Sequence, residues 1–183
     1  QRFIEVNIQN LAAVPSIVYG ILGLAVFARA LALGQSVITA ALTLALLVLP
    51  VIIISTREAL RAVPRNIRDG SLALGATEWQ TAYRQTLPAA IPGIATGTIL
   101  ALSRAIGEAA PLLLLGAVSF ITFNPDGVLS DYTTLPIQIF NWTKDSREEF
   151  QVLAAATIVV LLLILLAMNF VAIWIRNKTQ KRW

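Results

Sequence analysis

The sequence has no cysteine and no histidine, and only 13% of its 183 residues are charged. Without cysteine there is no disulfide framework and no thiolate chemistry. Without histidine the commonest general base and the commonest metal ligand are both missing. Soluble domains carry about 25% charged residues. The shortage of charge, with 57% hydrophobic residues and a mean hydropathy of +0.74, therefore points to an integral membrane protein. There is no Walker A glycine loop, so no ATP hydrolysis is expected of this chain. The start, Gln1-Arg2-Phe3-Ile4-Glu5, has neither an initiator methionine nor a signal peptide and reads as a chain entered part-way.

Four segments are long enough to cross a hydrocarbon core of about 30 Å, which takes about 20 helical residues. They run from about Leu11 to Leu33, Val37 to Ile54, Leu87 to Val118 and Val152 to Ile175. The predicted fold class is all-α, a polytopic transmembrane helical bundle. The net charge of +4 could suggest nucleic-acid binding, but the basic residues cluster beside the apolar spans. Arg57, Arg61, Arg65, Arg68 and Arg84 fall in the loop at 57–86, and Arg176, Lys178, Lys181 and Arg182 in the tail. The loop at 119–151 has only Lys144 and Arg147 against five carboxylates. The positive-inside rule places the 57–86 loop and the C-terminus in the cytoplasm and the 119–151 loop outside. Trp174 and Trp183 suit the inner interface and Trp142 the outer face. The outer-loop carboxylates match no calcium-loop spacing, so contact with another protein or plain solvation is expected of them.

Arg104 and Glu108 are the only charges in the third span. A charge at mid-bilayer costs from about 3 to more than 10 kcal/mol, and residues that bear it commonly serve transport or gating. In a continuous helix, positions i and i+4 share a face, so this guanidinium and carboxylate are expected to point the same way. Arg104 can offer a planar set of donors to an anion. Glu108 could neutralise it when no anion is present, or accept a proton from the anion. The alternative is a structural ion pair. Ser103 could donate to the anion or bond back to its own helix. Arg57 could be a further anion contact, although an anchor at the inner interface explains it more simply. Asn169 is expected to form a hydrogen bond between helices. Gly93 and Gly97 form a small-xxx-small pair, and with Ala101, Ser103, Ala105 and Gly107 they mark this helix as packed against others.

The 57–86 loop is the most ordered-looking connection. Residues 66–74 suit a short helix ended by Gly75. Thr77 stands three residues before Gln80, a capping-box spacing that starts a second helix. Leu72, Leu74 and Trp79 are left available to press on a partner, with a membrane-surface connector as the plainer alternative.

The segment Asp69-Gly70-Ser71, then Gly75, then Leu87-Pro88, resembles the cytoplasmic-loop signature of ABC importer permeases, which usually begins Glu-Ala-Ala and has a hydrophobic residue where this chain has Gln85. Three stretches narrow the resemblance to PstA-type permeases of bacterial phosphate importers. They are Asn10-Leu-Ala-Ala-Val-Pro-Ser-Ile-Val-Tyr-Gly20, Ala73-Leu-Gly-Ala-Thr-Glu-Trp79 and Ala101-Leu-Ser-Arg-Ala-Ile-Gly-Glu-Ala-Ala-Pro-Leu112. Thr134-Leu-Pro-Ile-Gln-Ile-Phe140 fits as well. That family normally has six spans, which implies that this chain lacks the first two. The resemblance implies a multi-pass subunit of the bacterial inner membrane that moves inorganic phosphate and performs no chemistry on it. It links the Arg-x-x-Gly-Glu element, here Arg104 and Glu108, to phosphate passage. It makes the 57–86 loop the coupling element, with Asp69, Gly70, Ser71, Leu72, Leu74, Gly75, Thr77, Trp79, Leu87 and Pro88 facing the ATP-binding subunit.

The implied partners are a PstC-like second permease subunit, a PstB-like dimer of ATP-binding subunits that carries the ATP and Mg, and a PstS-like phosphate-binding protein. No cofactor is expected on this chain itself. Three other functions stay open: an ABC permease for sulfate or molybdate, a secondary transporter with Glu108 as proton relay, and a structural membrane scaffold.

Overall fold

The computed structural model describes residues 2–116 and 124–179, and among these the regular structure is entirely helical. Trp183, Lys181, Arg182 and residues 119–123 of the expected outer loop lie outside the described residues, as do positions 117 and 118 of the expected third span. The described residues form eight helices: α1 (Arg2–Ala13), α2 (Ser16–Ala30), α3 (Val37–Arg61), α4 (Arg65–Ala73), α5 (Glu78–Ile106), α6 (Ala110–Leu114), α7 (Leu135–Lys144) and α8 (Glu148–Thr179). Three of them, α3, α5 and α8, are long and apolar enough to cross a membrane, and α1 with α2 makes a fourth candidate if the bent pair is one span.

Prolines decide where these helices depart from the sequence expectation. The first expected span, 11–33, is not one straight helix, because α1 and α2 meet at 92°. Pro15 sits at the break with ψ 138°, outside the helical region, and has no N–H to continue the ladder. Pro50 in α3 does not stop that helix, which runs seven residues past the expected Ile54 to Arg61. The third span is expected from Leu87, yet α5 starts nine residues earlier at Glu78 and passes through Pro88. The hydrogen-bond ring widens to π type over Ala82–Thr86, where Leu87 N–H reaches back to Ala82 O. That wider turn makes room for a proline ring that would otherwise strike the carbonyl four residues before it. The short helix α7 falls inside the expected outer loop, with Thr134 before it and Pro136 in its first turn. The last helix spans 148–179, longer at both ends than the expected 152–175.

The long helices form a row with α5 in the middle, packed on α3 along one side and on α8 along the other. Small residues bring α5 close to α3. A Cβ on Gly93 would lie 2.8 Å from the Ala59 Cβ, and one on Gly97 would lie 2.5 Å from the Ser55 Cβ. The expected small-xxx-small contact is therefore a seam between α5 and α3. Above it Leu47, Val48, Ala101 and Ala105 form a buried cluster. A second cluster joins Ala40 of α3 to Leu112 and Leu115 beside α6, to Tyr132 and to Ile137 of α7. Burial pushes the Tyr132 phenol up to about 12. The 124–134 segment is tied to the start of α3, where Val37 and Ile38 N–H donate to Ser130 O and Val128 O. These two bonds satisfy donors that a helix start otherwise leaves open.

Opposite that end, α4 and the first turns of α5 make the compact knob that the 57–86 loop predicted. Gly75 turns the chain at φ +83°, a conformation that glycine adopts without penalty. Thr77 Oγ1 accepts from Gln80 N–H at 3.2 Å, and Gln80 Oε1 accepts from Thr77 N–H at 3.0 Å, which completes the capping box. Thr77→Ala is expected to weaken the start of α5 by about 1 kcal/mol. Faster amide hydrogen exchange over residues 78–81, with the rest of α5 unchanged, is the readout. Unchanged exchange there would mean that the cap contributes nothing.

Candidate functional site: the end of the middle helix

Arg104 occupies the last turn of α5 and is exposed. At 100° per residue it falls between two contact stripes. Gly93, Gly97, Ala101 and Ala105 look toward α3. Thr96, Ser103 and Gly107 look toward α8, where Thr96 Oγ1 lies 3.5 Å from Ala172 O and Leu165 comes into contact range of Gly107. The guanidinium is thus held out from the middle of the row.

The expectation that Glu108 shares its face is overturned. That expectation needs one helix through both residues, and α5 ends at Ile106. Pro111 supplies the reason, because it has no N–H for the Gly107 carbonyl and its ring clashes with that carbonyl in a continuing helix. The chain turns instead, with Glu108 N–H donating to Ala105 O at 3.2 Å, and restarts as α6 at Ala110. Glu108 is half-buried in this turn, and no ion pair among the described residues joins it to Arg104. The carboxylate lies on the turn that follows the arginine's helix rather than on that helix's face.

Ser103 is buried and its Oγ has no hydrogen-bond partner. The neighbouring Thr96 and Thr98 bond back to Pro92 O and Ile94 O at 2.8 and 2.9 Å, as helical hydroxyls commonly do. Ser103 does not, so its donor is free for another acceptor. Asn169 Oδ1 on α8 is likewise buried and unpartnered, so the helix–helix bond expected of this oxygen is not formed. Arg57 is not beside Arg104. The α3–α5 contacts put Arg57 level with about residue 95, about 14 Å along the helix from Arg104. Arg57 pairs with Glu5 of α1, a partner the sequence reading did not supply.

Tyr19 is a further residue that the sequence reading passed over. Its hydroxyl donates to Leu11 O at 2.8 Å across the α1–α2 bend, and its ring packs on the Leu47, Val48, Ala101 and Ala105 cluster. A phenol in an apolar run four residues after Pro15 was the available signal, since a buried tyrosine hydroxyl needs a partner.

The knob exposes apolar side chains at its tip. Leu74 is 91% exposed and Trp79 77%, and Leu72 and Tyr83 are exposed as well. Trp79 and Tyr83 stand one turn apart on α5. Ser71 and Thr81 bridge α4 to α5 through their hydroxyls at 2.9 Å. Asp69, Gly70, Gly75, Thr77, Leu87 and Pro88 are all exposed. A groove of about 490 Å³ runs between Asn66, Gly70, Ser71, Leu74, Gln80 and Arg84.

On the far side of the molecule, Arg147 donates to both carboxylate oxygens of Asp145, at 3.0 and 2.8 Å. These bonds hold the Asp145 carboxyl down at about 2. The contribution of this fork is complete above the ordinary value of 3.8 and is lost only as pH falls through about 2. No group of three or more acidic residues suited to a metal occurs among the described residues.

A family model of the binding-protein-dependent transport system inner membrane component matches residues 1–181. The chain belongs to this family. Among curated proteins, the chain is similar to the probable ABC transporter permease protein YqgI of Bacillus subtilis, at 34% identity over 192 aligned positions, covering 98% of this chain and 65% of that protein. It is similar to the phosphate transport system permease protein PstA 1 of Mycobacterium tuberculosis, at 32% identity over 181 residues, 99% of this chain and 59% of that protein. It is also similar to PstA of Mycobacterium leprae, at 40% identity over 130 residues, 71% of this chain and 42% of that protein. The chain spans about three fifths of the length of these first two relatives. No solved structure matches it.

Proposed function

We propose that this permease conducts inorganic phosphate across the bacterial inner membrane, driven by ATP hydrolysed with Mg on a separate pair of subunits. The observation that carries the reading is the end of α5. There the exposed Arg104 guanidinium projects from the last turn of the middle helix of a membrane row, one residue after the buried, unpartnered Ser103 hydroxyl. The names of the relatives direct the choice of anion to phosphate. An arginine left exposed on one side of the row suits a pathway closed by a second, PstC-like permease subunit, with a PstS-like binding protein delivering the anion from outside. Glu108, on the broken turn, is placed to approach or leave Arg104 as that turn moves, so that the anion is released rather than trapped. The Arg57 pair with Glu5 makes that residue an anchor of α1 in this conformation, and an anion contact only after Glu5 withdraws. The arginine-rich end and the C-terminus face the cytoplasm on this reading.

Radiolabelled phosphate uptake in cells that depend on this importer tests the anion. Uptake that tenfold excess sulfate or molybdate leaves unchanged supports phosphate. Competition by either at equal concentration replaces phosphate with that oxyanion. The exposed knob is the surface for the ATP-binding subunits, and apolar anchors of this kind dominate docking energy. Leu74→Asp is expected to lower retention of the ATP-binding subunit on purification by about tenfold, because it sets a charge in the docking surface. Full retention would remove Leu74 from that surface, and copurification of no ATPase with the unaltered protein would favour a secondary transporter.

A further inference from the structure

A second cationic site lies at the other end of the row, well apart from Arg104. Arg57 and Arg61 of α3 and Arg68 of α4 line one pocket of about 510 Å³, whose remaining wall includes Ile52, Ile53 and Leu60. No carboxylate lines this pocket. Arg57 and Arg61 have counter-ions outside it. Glu5 pairs with Arg57, and Glu58 lies 3.7 Å from Arg61 with both side chains about three-fifths exposed. Arg68 makes no ion pair among the described residues, although a neighbouring pocket that it also lines contains Asp69 and Glu78. Its Nη2 donates to Leu60 O at 2.7 Å, which fixes the guanidinium against the end of α3, and its Nε–H is buried without an acceptor. A buried charge-bearing donor left open is costly, and an oxyanion is the acceptor that suits it.

Depth identifies the setting. Arg57 is 20 residues beyond Val37, about 30 Å along α3, which is the thickness of the hydrocarbon core. The three guanidinium groups therefore stand at headgroup level, with Ile52 and Ile53 on the hydrocarbon side. Basic pockets between helices at a membrane surface take phosphate-bearing headgroups.

We propose that Arg57, Arg61 and Arg68 form a binding site for a phosphate group at this membrane surface. The apolar wall suits the phosphodiester of an anionic phospholipid, whose acyl chain would run along Ile52 and Ile53, and free inorganic phosphate offers the same oxygens without that chain. Arg68 is the central donor, since it makes no ion pair among the described residues and its Nε–H lacks an acceptor. The site depends neither on the transported anion nor on which face is cytoplasmic.

The test is native mass spectrometry of the assembled transporter in detergent, with phosphatidylglycerol, phosphatidylcholine or inorganic phosphate added in separate arms. Phosphatidylglycerol is expected to be retained over phosphatidylcholine. Arg68→Gln, which keeps a donor for Leu60 O but removes the charge and the Nε–H, is expected to lower that retention about fivefold. Arg61→Gln alters an exposed side chain with only a long contact, so the fold is unaffected, and a smaller loss in the same direction is expected. Binding of inorganic phosphate that Arg68→Gln abolishes, with no preference between the lipids, assigns the same site to the free anion. Equal retention of both lipids and no phosphate binding at this site, or full retention in both variants, overturns the proposal. Normal phosphate transport in Arg68→Gln would leave the Arg104 reading untouched, so the two proposals fail separately.

Discussion

Replacing Arg104 by glutamine is expected to lower phosphate uptake by about 10- to 100-fold, the range for losing one or two hydrogen bonds to a charged group. Glutamine is shorter and keeps some polarity but removes the fixed positive charge. The side chain is exposed at the end of α5 and makes no ion pair among the described residues, so its removal leaves no stranded partner and no cavity. Assembly with the other subunits and basal ATP hydrolysis should therefore survive. That combination of intact ATPase and lost uptake separates a pathway role from a structural one. Arg104→Lys should fall between the two, because an ammonium restores charge without the planar fork. Uptake by the glutamine variant at the unaltered rate would take Arg104 out of the pathway. Loss of assembly would instead return it to the structural ion-pair reading that Glu108 first suggested.

The second large effect is expected at Gly97. A side chain there meets Ser55 across the closest seam in the row, where even a Cβ would lie 2.5 Å from the Ser55 Cβ. Gly97→Val forces α5 off α3, and overpacking of this kind costs about 1–3 kcal/mol. For a chain of this size that lowers the thermal midpoint by about 2–12 °C. Because α5 also carries Arg104 and begins in the knob, loss of transport should accompany the loss of stability. The pair Gly97→Ala with Ser55→Gly moves one methyl-sized group across the seam and is expected to recover most of the midpoint. A Gly97→Val protein with an unchanged midpoint would show that α3 and α5 do not depend on this contact.

Much of this arrangement was legible in the sequence, and for identifiable reasons. Apolar runs of membrane length depend on composition alone, so α3, α5 and α8 could be located from hydropathy. The knob was legible because its signals are local. Gly75 and the Thr77–Gln80 box act over three or four residues, and the structure has the turn and both hydrogen bonds. The Gly93–Gly97 pair announced a close helix contact, but not that its partner was α3.

The prolines were harder to read. Pro15, Pro50, Pro88 and Pro111 all sit in or beside apolar runs, and the sequence treats them alike. In the fold Pro15 bends the chain, Pro50 and Pro88 are absorbed within helices, and Pro111 helps to end α5. What separates them is whether neighbouring turns can widen and whether packing holds the helix together across the missing hydrogen bond, and both are tertiary matters.

Arg104 and Glu108 follow the same division. From sequence alone come their presence in an apolar stretch, the cost of their charge and the family to which the surrounding residues belong. Only the folded chain separates them, by ending α5 at Ile106, leaving Arg104 exposed between two packed stripes and setting Glu108 on the turn. Spacing of four residues fixes direction only while the helix continues. Whether it continues is decided by a proline three residues further on and by the helices packed around it.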